Sequence, residues 1–213
     1  NAAIAVPDLG AAGSVLVLGT RKGEIKAFNL AALKGIRAAG LNMMDLEKGD
    51  ELVSVRVAEP EHDIMMLTSG GQGIRFSLKD VPRRSRAAGG VRGIRLTKGD
   101  IVVSMEVIES KDRLLVVTTH GYGKLMLVSR FRVQGRNGMG VLAFRTTQKT
   151  GLLAGARVVG EVGDEDEVML ISNKCQVFRT SMKEISTQGR ITMGVNMWRP
   201  DSGDKVASIT CLR

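Results

Sequence analysis

The chain has 213 residues, with 31 lysines and arginines against 22 acidic residues and a formal net charge of +9 at pH 7. This length allows a large core, and the excess of positive charge indicates a polyanionic partner, nucleic acid above all. Aromatic residues make up only 3% of the chain, which disfavours recognition of single strands by base stacking.

The two cysteines, Cys175 and Cys211, lack metal-ligand spacing and give no disulfide framework, so we expect reduced thiols and a cytoplasmic protein. No apolar run is long enough to span a membrane, and the N-terminus does not resemble a signal peptide. His62 and His120 lie in separate turns, without a cysteine or carboxylate at metal-binding spacing. We therefore predict no metal site and no cofactor.

Residues 1–10 read as the end of a preceding repeat, because their pattern of a short apolar strand followed by a proline turn returns at 54–61. We therefore expect the chain to be a piece of a longer protein. Four repeats follow, at about 14–62, 63–112, 113–163 and 164–213. Helical periodicity is weak throughout, apart from a single turn expected at Leu30–Arg37.

Each repeat begins with two short β-prone segments joined by a turn, which in the first three repeats is rich in glycine. These pairs are Val15–Leu18 with Glu24–Phe28, Ile64–Thr68 with Gly73–Leu78, Leu114–Thr118 with Lys124–Val128, and Val168–Ile171 with Gln176–Thr180. A long basic loop then leads to a third strand-like run and, after a second glycine turn, to a fourth. In repeat two, the alternating residues Ile101, Val103, Met105 and Val107 are predicted to form one buried face.

Glycines mark the repeats in step. The third run opens at Gly40-Leu41, Gly90-Val91, Gly140-Val141 and Gly194-Val195, at intervals of 50, 50 and 54 residues. It closes at Gly49, Gly99, Gly151 and Gly203, at intervals of 50, 52 and 52. A repeat of this length, made of short strands and glycine turns, predicts an all-β radial array with one blade per repeat and four blades in all.

Charged residues recur with the same period as the glycines. The turns between repeats are acidic, with Glu59, Glu61 and Asp63, then Glu106, Glu109 and Asp112, then Asp164, Glu165, Asp166 and Glu167. The loops after the second strand are basic, and an arginine precedes each glycine pair, at Arg37, Arg86, Arg136 and Arg190. We expect the last three to share one contiguous basic surface, with Arg37 at its end, because equal phase in a radial array means equal location.

No catalytic motif is present. The chain has neither a G-x-S-x-G segment nor a G-x-x-x-x-G-K phosphate-binding loop. Tyr122 lies between two glycines and is expected to be an exposed aromatic tip, with no base placed near it. Asp50, Asp100 and Asp204 follow turn glycines and are interpreted as structural. We predict no enzymatic activity in this chain alone.

Four blocks of sequence identify a family. Residues 90–96 (GVRGIRL), 120–124 (HGYGK), 133–141 (VQGRNGMGV) and 184–190 (EISTQGR) closely resemble the C-terminal domain of DNA gyrase A, and the similarity runs through the whole chain in register. The family motif for positive wrapping, Q-R-R-G-G-K-G, is not in this sequence. Residues 134–140 have a related shape but lack its second arginine and its lysine.

The resemblance implies a β-pinwheel, a blade ring with propeller-like shape and different strand connectivity, of which this chain would be the last four blades. It implies a domain that bends and wraps duplex DNA and presents the transported segment during ATP-dependent negative supercoiling. The catalytic tyrosine and the ATPase would lie outside this chain, in the rest of gyrase A and in gyrase B.

Two alternatives remain open. The corresponding C-terminal domain of topoisomerase IV is a close relative without the wrapping motif, but its blades are fewer and more degenerate than the regular repeats of this chain. A protein-binding propeller is the second, disfavoured by the absence of Trp-Asp pairs and by a different glycine pattern. A catalytic propeller would need carboxylates or histidines converging at the axis, and the sequence indicates none.

We predict that duplex DNA contacts the basic residues of the turns, strands and loops through its phosphates. The predicted contact residues are Arg21, Lys22, Lys26, Lys34, Arg37, Arg75, Lys79, Arg83, Arg84, Arg86, Arg92, Arg95, Lys124, Arg130, Arg132, Arg136, Arg145, Lys174, Arg179, Lys183, Arg190 and Arg199.

Overall fold

The structure, a computed structural model, describes residues 4–6, 13–34, 40–85, 87–163 and 165–212. These residues form fifteen short β-strands in four antiparallel sheets and, within the described ranges, no α-helix. The predicted end of a preceding repeat lies outside the described residues except for 4–6, which have no regular secondary structure. The expected turn after Leu30 is present as a 3-10 turn, Leu30–Leu33.

The sheets are blades around a common axis, and within each blade the strands follow one another from the innermost outwards. Blade 1 contains β3 (Leu52–Ala58), β1 (Val15–Thr20), β2 (Glu24–Asn29) and β6 (Val91–Arg92). Blade 2 contains β7 (Val102–Ile108), β4 (Asp63–Thr68), β5 (Gln72–Ser77) and β10 (Val141–Leu142). Blade 3 contains β11 (Leu153–Val159), β8 (Arg113–Thr118), β9 (Tyr122–Leu127) and β14 (Val195–Asn196). In blade 4 the described strands are β15 (Val206–Leu212), β12 (Glu167–Ser172) and β13 (Val177–Ser181). The predicted four-bladed all-β architecture is confirmed.

The outermost strand of each of the first three blades comes from the following repeat. Strand β6 of repeat two pairs with β2, β10 of repeat three pairs with β5, and β14 of repeat four pairs with β9. The expectation that a repeat and a blade coincide is therefore wrong for the third strand. The long loop carries the chain past the edge of its own blade, so hydrogen bonds tie each blade to the next repeat.

The cores lie between blades, which explains why the first strand of each repeat is apolar over most of its length. Between blades 1 and 2, Ile64, Met66 and Phe76 pack with Val17 and Ile25. Equivalent clusters fill the spaces between blades 2 and 3 and between blades 3 and 4. The first strands of repeats one to three therefore have a neighbouring blade or a covering loop on each face, whereas Met169 and Ile171 of β12 stay partly exposed.

The buried face predicted for repeat two is wrong because strand β7 contains a β-bulge. Opposite Leu67 and Thr68 of β4, strand β7 places Ser104 and Val102, so Val103 is an extra residue that reverses the alternation. Met105 and Val107 pack between blades 1 and 2, whereas Val103 packs with the core between blades 2 and 3. The four alternating residues therefore do not share one face.

Glu106 was predicted to lie in an acidic turn between repeats, but it lies in strand β7. Its carboxylate is bound by two arginines from the inner strands of neighbouring blades. Arg56 donates from Nε at 3.0 Å and from Nη2 at 2.7 Å, and Arg157 donates from Nη1 at 3.3 Å. Because the side chain of Glu106 is only 6% exposed, this ion-pair triad joins three blades at the axis.

The turn aspartates have the structural role expected of them. Asp100 Oδ1 accepts from the backbone amides of Gly70 and Ile101 and from the Ser69 hydroxyl, which caps the turn between β4 and β5. Burial tends to raise the pKa of Asp100, but hydrogen bonds from the Thr68 and Ser69 side chains and from the two amides outweigh it and hold the pKa below its ordinary value. Asp50 and Asp204 cap the corresponding turns of blades 1 and 4.

Glycine at the tip of the β8–β9 turn is required by packing as well as by conformation. Gly121 has a φ of +77°, and a Cβ there would collide with the backbone carbonyl of Trp198. That close approach allows the Gly121 carbonyl to accept from the amides of Met197 and Trp198, which anchors the following repeat. Gly71 makes the equivalent contact with residues 143 and 144.

Candidate nucleic-acid interface

The basic loops lie along the outer edge of the blades. After the 3-10 turns at 78–80, 128–130 and 182–184, the chain runs beside the second strand of the preceding blade. Parallel bridges there join Arg83 to Ala27, Val133 to Arg75 and Thr187 to Leu125. The amides of the next residues, Arg84, Gln134 and Gln188, donate to those strands at 3.1, 2.8 and 2.8 Å. Backbone hydrogen bonds therefore place the loops at the perimeter, whatever their side chains.

Consecutive loops also bond to one another. The Asn137 amide donates to the Gly93 carbonyl at 2.7 Å, and the Arg95 amide donates to the Gly138 carbonyl at 2.8 Å. In the next pair of repeats, the Arg145 amide donates to the Thr192 carbonyl at 3.1 Å. The loops thus form a linked perimeter from blade to blade, and we call residues 79–95, 129–145 and 183–199, excluding Arg86, the perimeter loops.

Three exposed arginines occupy one equivalent position on these loops. Arg95, Arg145 and Arg199 each follow a glycine that opens the third strand by five residues, and each is solvent-exposed. The residue before each of them, Ile94, Phe144 or Trp198, packs inwards and bonds to the turn glycine of the blade it covers. All three arginines are among the predicted contact residues, but their common position was not predicted, although the equal spacing from these glycines is visible in the sequence.

Arg136 and Arg190 are half-buried and brace neighbouring repeats. Arg136 donates from Nε to the Asp80 carbonyl at 3.0 Å and from Nη1 to the Arg92 carbonyl at 3.1 Å. Arg190 donates to the Leu142 carbonyl at 3.0 Å, and its guanidinium lies over the Phe131 ring, 5.7 Å from the centroid. Both arginines lie on the perimeter loops at matching positions. Arg37 and Arg86, which were expected on the same surface, lie outside the described residues.

The other predicted contact residues fall into two groups. The first group is exposed on the perimeter loops or, for Lys34, directly after the 3-10 turn Leu30–Leu33: Lys34, Lys79, Arg83, Arg84, Arg92, Arg130, Arg132 and Lys183. Arg21, Lys22 and Lys174 are exposed on hairpin turns and Arg179 is exposed on β13, so none of the four lies on a perimeter loop. Three of these four pair with carboxylates: Arg21 with Glu51 at 3.1 Å, Lys22 with Glu47 at 3.9 Å, and Arg179 with Glu167.

Three predicted contact residues are buried, and the prediction is wrong for them. Lys26 and Lys124 have no exposed surface, and Arg75 is 6% exposed. Lys26 Nζ donates to the carbonyls of Met43 and Ala88, and Arg75 pairs with Asp63. Their strands alternate polar and apolar residues as expected, but the loop of the next repeat covers the polar face. A cation enclosed in this way cannot reach a phosphate.

Burial changes the titration of the lysines. Loss of solvation lowers the pKa of Lys124 to about 8, with a further contribution from the neighbouring Arg190 charge. The pKa of Lys26 is also lowered, by burial first and by the Arg84 charge second. Both shifts mark these ammonium groups as parts of the interior.

The acidic turns occupy a different radius. The turn 59–62 joins the innermost strand β3 to β4 of the next blade, and the turn 109–112 joins β7 to β8 in the same way. These turns therefore lie towards the axis, whereas the basic loops run along the outermost strands. Asp164, predicted in the third acidic turn, lies outside the described residues. Acidic and basic segments that alternate along the sequence are therefore separated by their distance from the axis, with positive charge at the perimeter.

Tyr122 is not the free aromatic tip that its flanking glycines suggested. It is half-buried in β9, with the Lys149 ammonium 5.7 Å from its ring centroid. Within the described ranges, no three histidine, cysteine or carboxylate side chains are grouped as a metal ion would require. No helical segment in the described part of the chain is long and apolar enough to cross a membrane.

Together, the linked blades and basic perimeter define a β-pinwheel of the type that carries positive charge on its rim. The family model described as DNA gyrase C-terminal domain, beta-propeller, matches residues 14–59, 62–109, 112–160 and 166–213. The chain belongs to this DNA gyrase C-terminal domain family.

Relatives and solved structures agree with this assignment. DNA gyrase A of Clostridium acetobutylicum is 48% identical over 196 residues, which cover 92% of this chain and 23% of the relative. DNA gyrase A of Dehalogenimonas lykanthroporepellens is 38% identical over 203 residues, covering 92% and 25%. The chain thus spans about a quarter of the length of these relatives.

Among solved structures, a DNA gyrase A C-terminal domain superposes with a TM-score of 0.86 at 26% identity, covering 98% of this chain and 68% of that one. The C-terminal domain of a DNA topoisomerase IV superposes with a TM-score of 0.88 at 23% identity, covering 98% and 64%. At that identity the second likeness bears on the fold alone.

Proposed function

We propose that the perimeter of this chain binds duplex DNA through its phosphates and bends the duplex around the blades. The observation that carries the proposal is the recurrence of an exposed arginine, at Arg95, Arg145 and Arg199, on loops that are hydrogen-bonded in series. Arginine and lysine side chains neutralise phosphates and release counterions without reading base sequence. The described part of the chain has no α-helix to enter a major groove.

The physics of bending favours a distributed set of contacts. Duplex DNA has a persistence length of about 50 nm, and bending a site of 20–30 base pairs by 40–90° costs of order 1–6 kcal/mol. One cationic patch would hold the duplex at a point and leave it straight. Cations repeated at one position in successive blades give contacts along a curve, and each contact offsets part of the bending energy.

In the parent protein, we infer a role as part of DNA gyrase A. The chain would curve the DNA and present the transported segment, in support of ATP-dependent negative supercoiling. The cleavage tyrosine and the ATPase would belong to the remainder of gyrase A and to gyrase B, which are the protein partners. We infer that the protein acts in the bacterial cytoplasm, at the nucleoid.

The two alternatives have weaker support. The topoisomerase IV domain matches in fold, while the sequence relatives at 48% and 38% identity are gyrase A proteins. A protein-binding propeller does not require exposed arginines in phase on consecutive blades.

A salt titration of the full chain on two unrelated duplexes of equal length tests the proposal. We expect log K to fall linearly with log salt concentration, with similar slopes on both duplexes, and end-to-end fluorescence transfer to rise on binding as the duplex bends. Binding that is insensitive to salt, or confined to one sequence, contradicts phosphate recognition. Binding without bending contradicts the curved track.

A further inference from the structure

Each of the three blades that receives a loop from the next repeat has one buried cation on its second strand. These residues are Lys26 in β2, Arg75 in β5 and Lys124 in β9. Each donates to backbone carbonyls of the incoming repeat. Lys26 donates to Ala88 at 2.7 Å, and Arg75 donates to Val128 and Phe131 at 3.3 Å. The buried cation is therefore a recurrent feature where a perimeter loop meets a blade.

Lys124 makes the most extensive of these contacts. Its Nζ donates to the carbonyls of Gly189 at 2.8 Å, Arg190 at 2.7 Å and Thr192 at 3.0 Å. It also contacts the Thr192 hydroxyl at 3.1 Å and lies 4.8 Å from the centroid of the Phe144 ring. Four oxygens and an aromatic face replace the water that the ammonium loses on burial, so the charge is compensated within the fold.

These contacts fix the backbone on both sides of a perimeter arginine. Arg190 is held through its carbonyl by Lys124, and its guanidinium is held by the Leu142 carbonyl and the Phe131 ring. The Thr192 carbonyl, a second partner of Lys124, also accepts the amide of the exposed Arg145. One ammonium group thus connects to the backbone of two perimeter arginines in adjacent repeats.

The position does not need a cation for the blade to form. The residue equivalent to Lys124 in blade 2 is Ile74, which is fully buried in the core between blades 1 and 2. An apolar side chain avoids the cost of removing an ammonium from water. The presence of lysine in blade 3 is therefore better explained by the carbonyls that it holds than by the stability of β9.

We propose that Lys124 is a positioning residue of the DNA interface, which holds the loop 186–192 so that Arg190 and Arg145 face the phosphates while Lys124 itself never contacts DNA. This inference rests on the proposed DNA-binding function. A loop that is ordered before binding loses less conformational entropy when the complex forms, so the anchor raises affinity without adding a contact.

A double-mutant cycle in the full chain tests the proposal. Lys124→Met keeps the length of the side chain and removes its charge. We expect it to weaken duplex binding about 5- to 30-fold in the wild-type background, but less than about 2-fold when Arg145 and Arg190 are both glutamine. An equal loss in both backgrounds, or no loss in the wild-type background, would overturn the proposal.

The anchoring itself has a readout that does not involve DNA. The Gln188 amide donates to the Leu125 carbonyl, and the Leu125 amide donates to the Ser186 carbonyl. In Lys124→Met both amides should exchange with solvent faster, while amides of blade 1 keep their protection. Leu18→Ala serves as a control, because it removes buried side-chain volume in blade 1. It should lower the melting temperature and leave DNA affinity at lower temperature within about 2-fold.

The outcomes separate the two proposals. Faster exchange in the variant, together with a wild-type chain that does not bind DNA, refutes the DNA interface and with it the positioning role. Wild-type DNA binding with unchanged exchange in the variant refutes only the anchor. If Lys124→Met does not fold, Thr192→Val removes the hydroxyl contact and should reproduce a smaller version of both effects. Normal exchange and binding in Thr192→Val would then count against the proposal.

Discussion

The arginines in common phase allow a quantitative prediction. Replacing Arg95, Arg145 and Arg199 together with glutamine should weaken binding on every duplex and make it less sensitive to salt. Each phosphate contact contributes about 0.9 to the slope of log K against log salt concentration, so three lost contacts should lower the slope by about 2.7. Between about 50 and 200 mM salt, the variant should then lose roughly 40-fold less affinity than the wild type.

The structure justifies counting each arginine as one contact. All three are exposed, and none forms an ion pair within the described part of the chain. The hydrogen bond from the Arg95 amide to Gly138 and that from the Arg145 amide to Thr192 belong to the backbone and remain with glutamine. The substitution therefore removes charge while it leaves the perimeter intact, and stability should change little.

Fluorescence anisotropy with two unrelated duplexes, at five or more salt concentrations, measures the effect. Lys111→Gln with Arg113→Gln is the control, because these residues lie at the acidic turn towards the axis, where Lys111 pairs with Glu109 at 3.3 Å. The control removes two charges and should change the slope by less than about 1. An unchanged slope in the triple variant, or a loss confined to one duplex, would refute the assignment of these arginines to a phosphate track.

Three further predictions concern the scaffold. Glu106→Gln leaves two arginines at the axis without their carboxylate and should lower the free energy of unfolding by about 2–3 kcal/mol in urea denaturation, less than for a fully buried pair because solvent reaches the arginines. A change below about 0.5 kcal/mol would contradict the triad. Gly121→Ala should destabilise the chain by at least about 2 kcal/mol more than Gly203→Ala. Both glycines have a φ of +77°, but only at Gly121 would the added Cβ collide with a backbone carbonyl. Equal melting temperatures of the two variants would disprove this. Finally, the pKa of Lys124 lies at about 8 in the folded chain and at its ordinary 10.5 when unfolded. Between these pH values the unfolded chain binds more protons than the folded chain, so the stability of wild type relative to Lys124→Met should increase as the pH rises. If the urea midpoints of the two proteins shift equally between pH 8 and pH 10, this prediction is wrong.

The length and boundaries of the repeat could be predicted from the sequence alone, because they depend on the local conformational needs of the chain. The glycines at the turns are required wherever φ is positive or backbones touch, so their spacing is visible in the sequence before any contact is known. Short apolar segments beside those turns predicted the first strand of each repeat, and alternation of polar and apolar residues indicated the second. The charge phase predicted a perimeter carrying arginines, since residues at one phase of a radial array share one location.

Contacts between residues far apart in the chain decided the rest. In β9, Lys124 occupies a polar position like that of an exposed lysine, and only the loop arriving more than sixty residues later buries it. Glu106 likewise lies at the axis because two arginines, fifty residues before it and fifty-one residues after it, converge on its carboxylate.

The outermost strands were reassigned to neighbouring blades for the same reason, since the partner of a two-residue strand is set by where its loop leads. The bulge at Val103 reversed a face that alternation alone had predicted. Sequence periodicity reports the environment of a residue along its own strand. Which blade or loop covers that strand is fixed only when the repeats pack together.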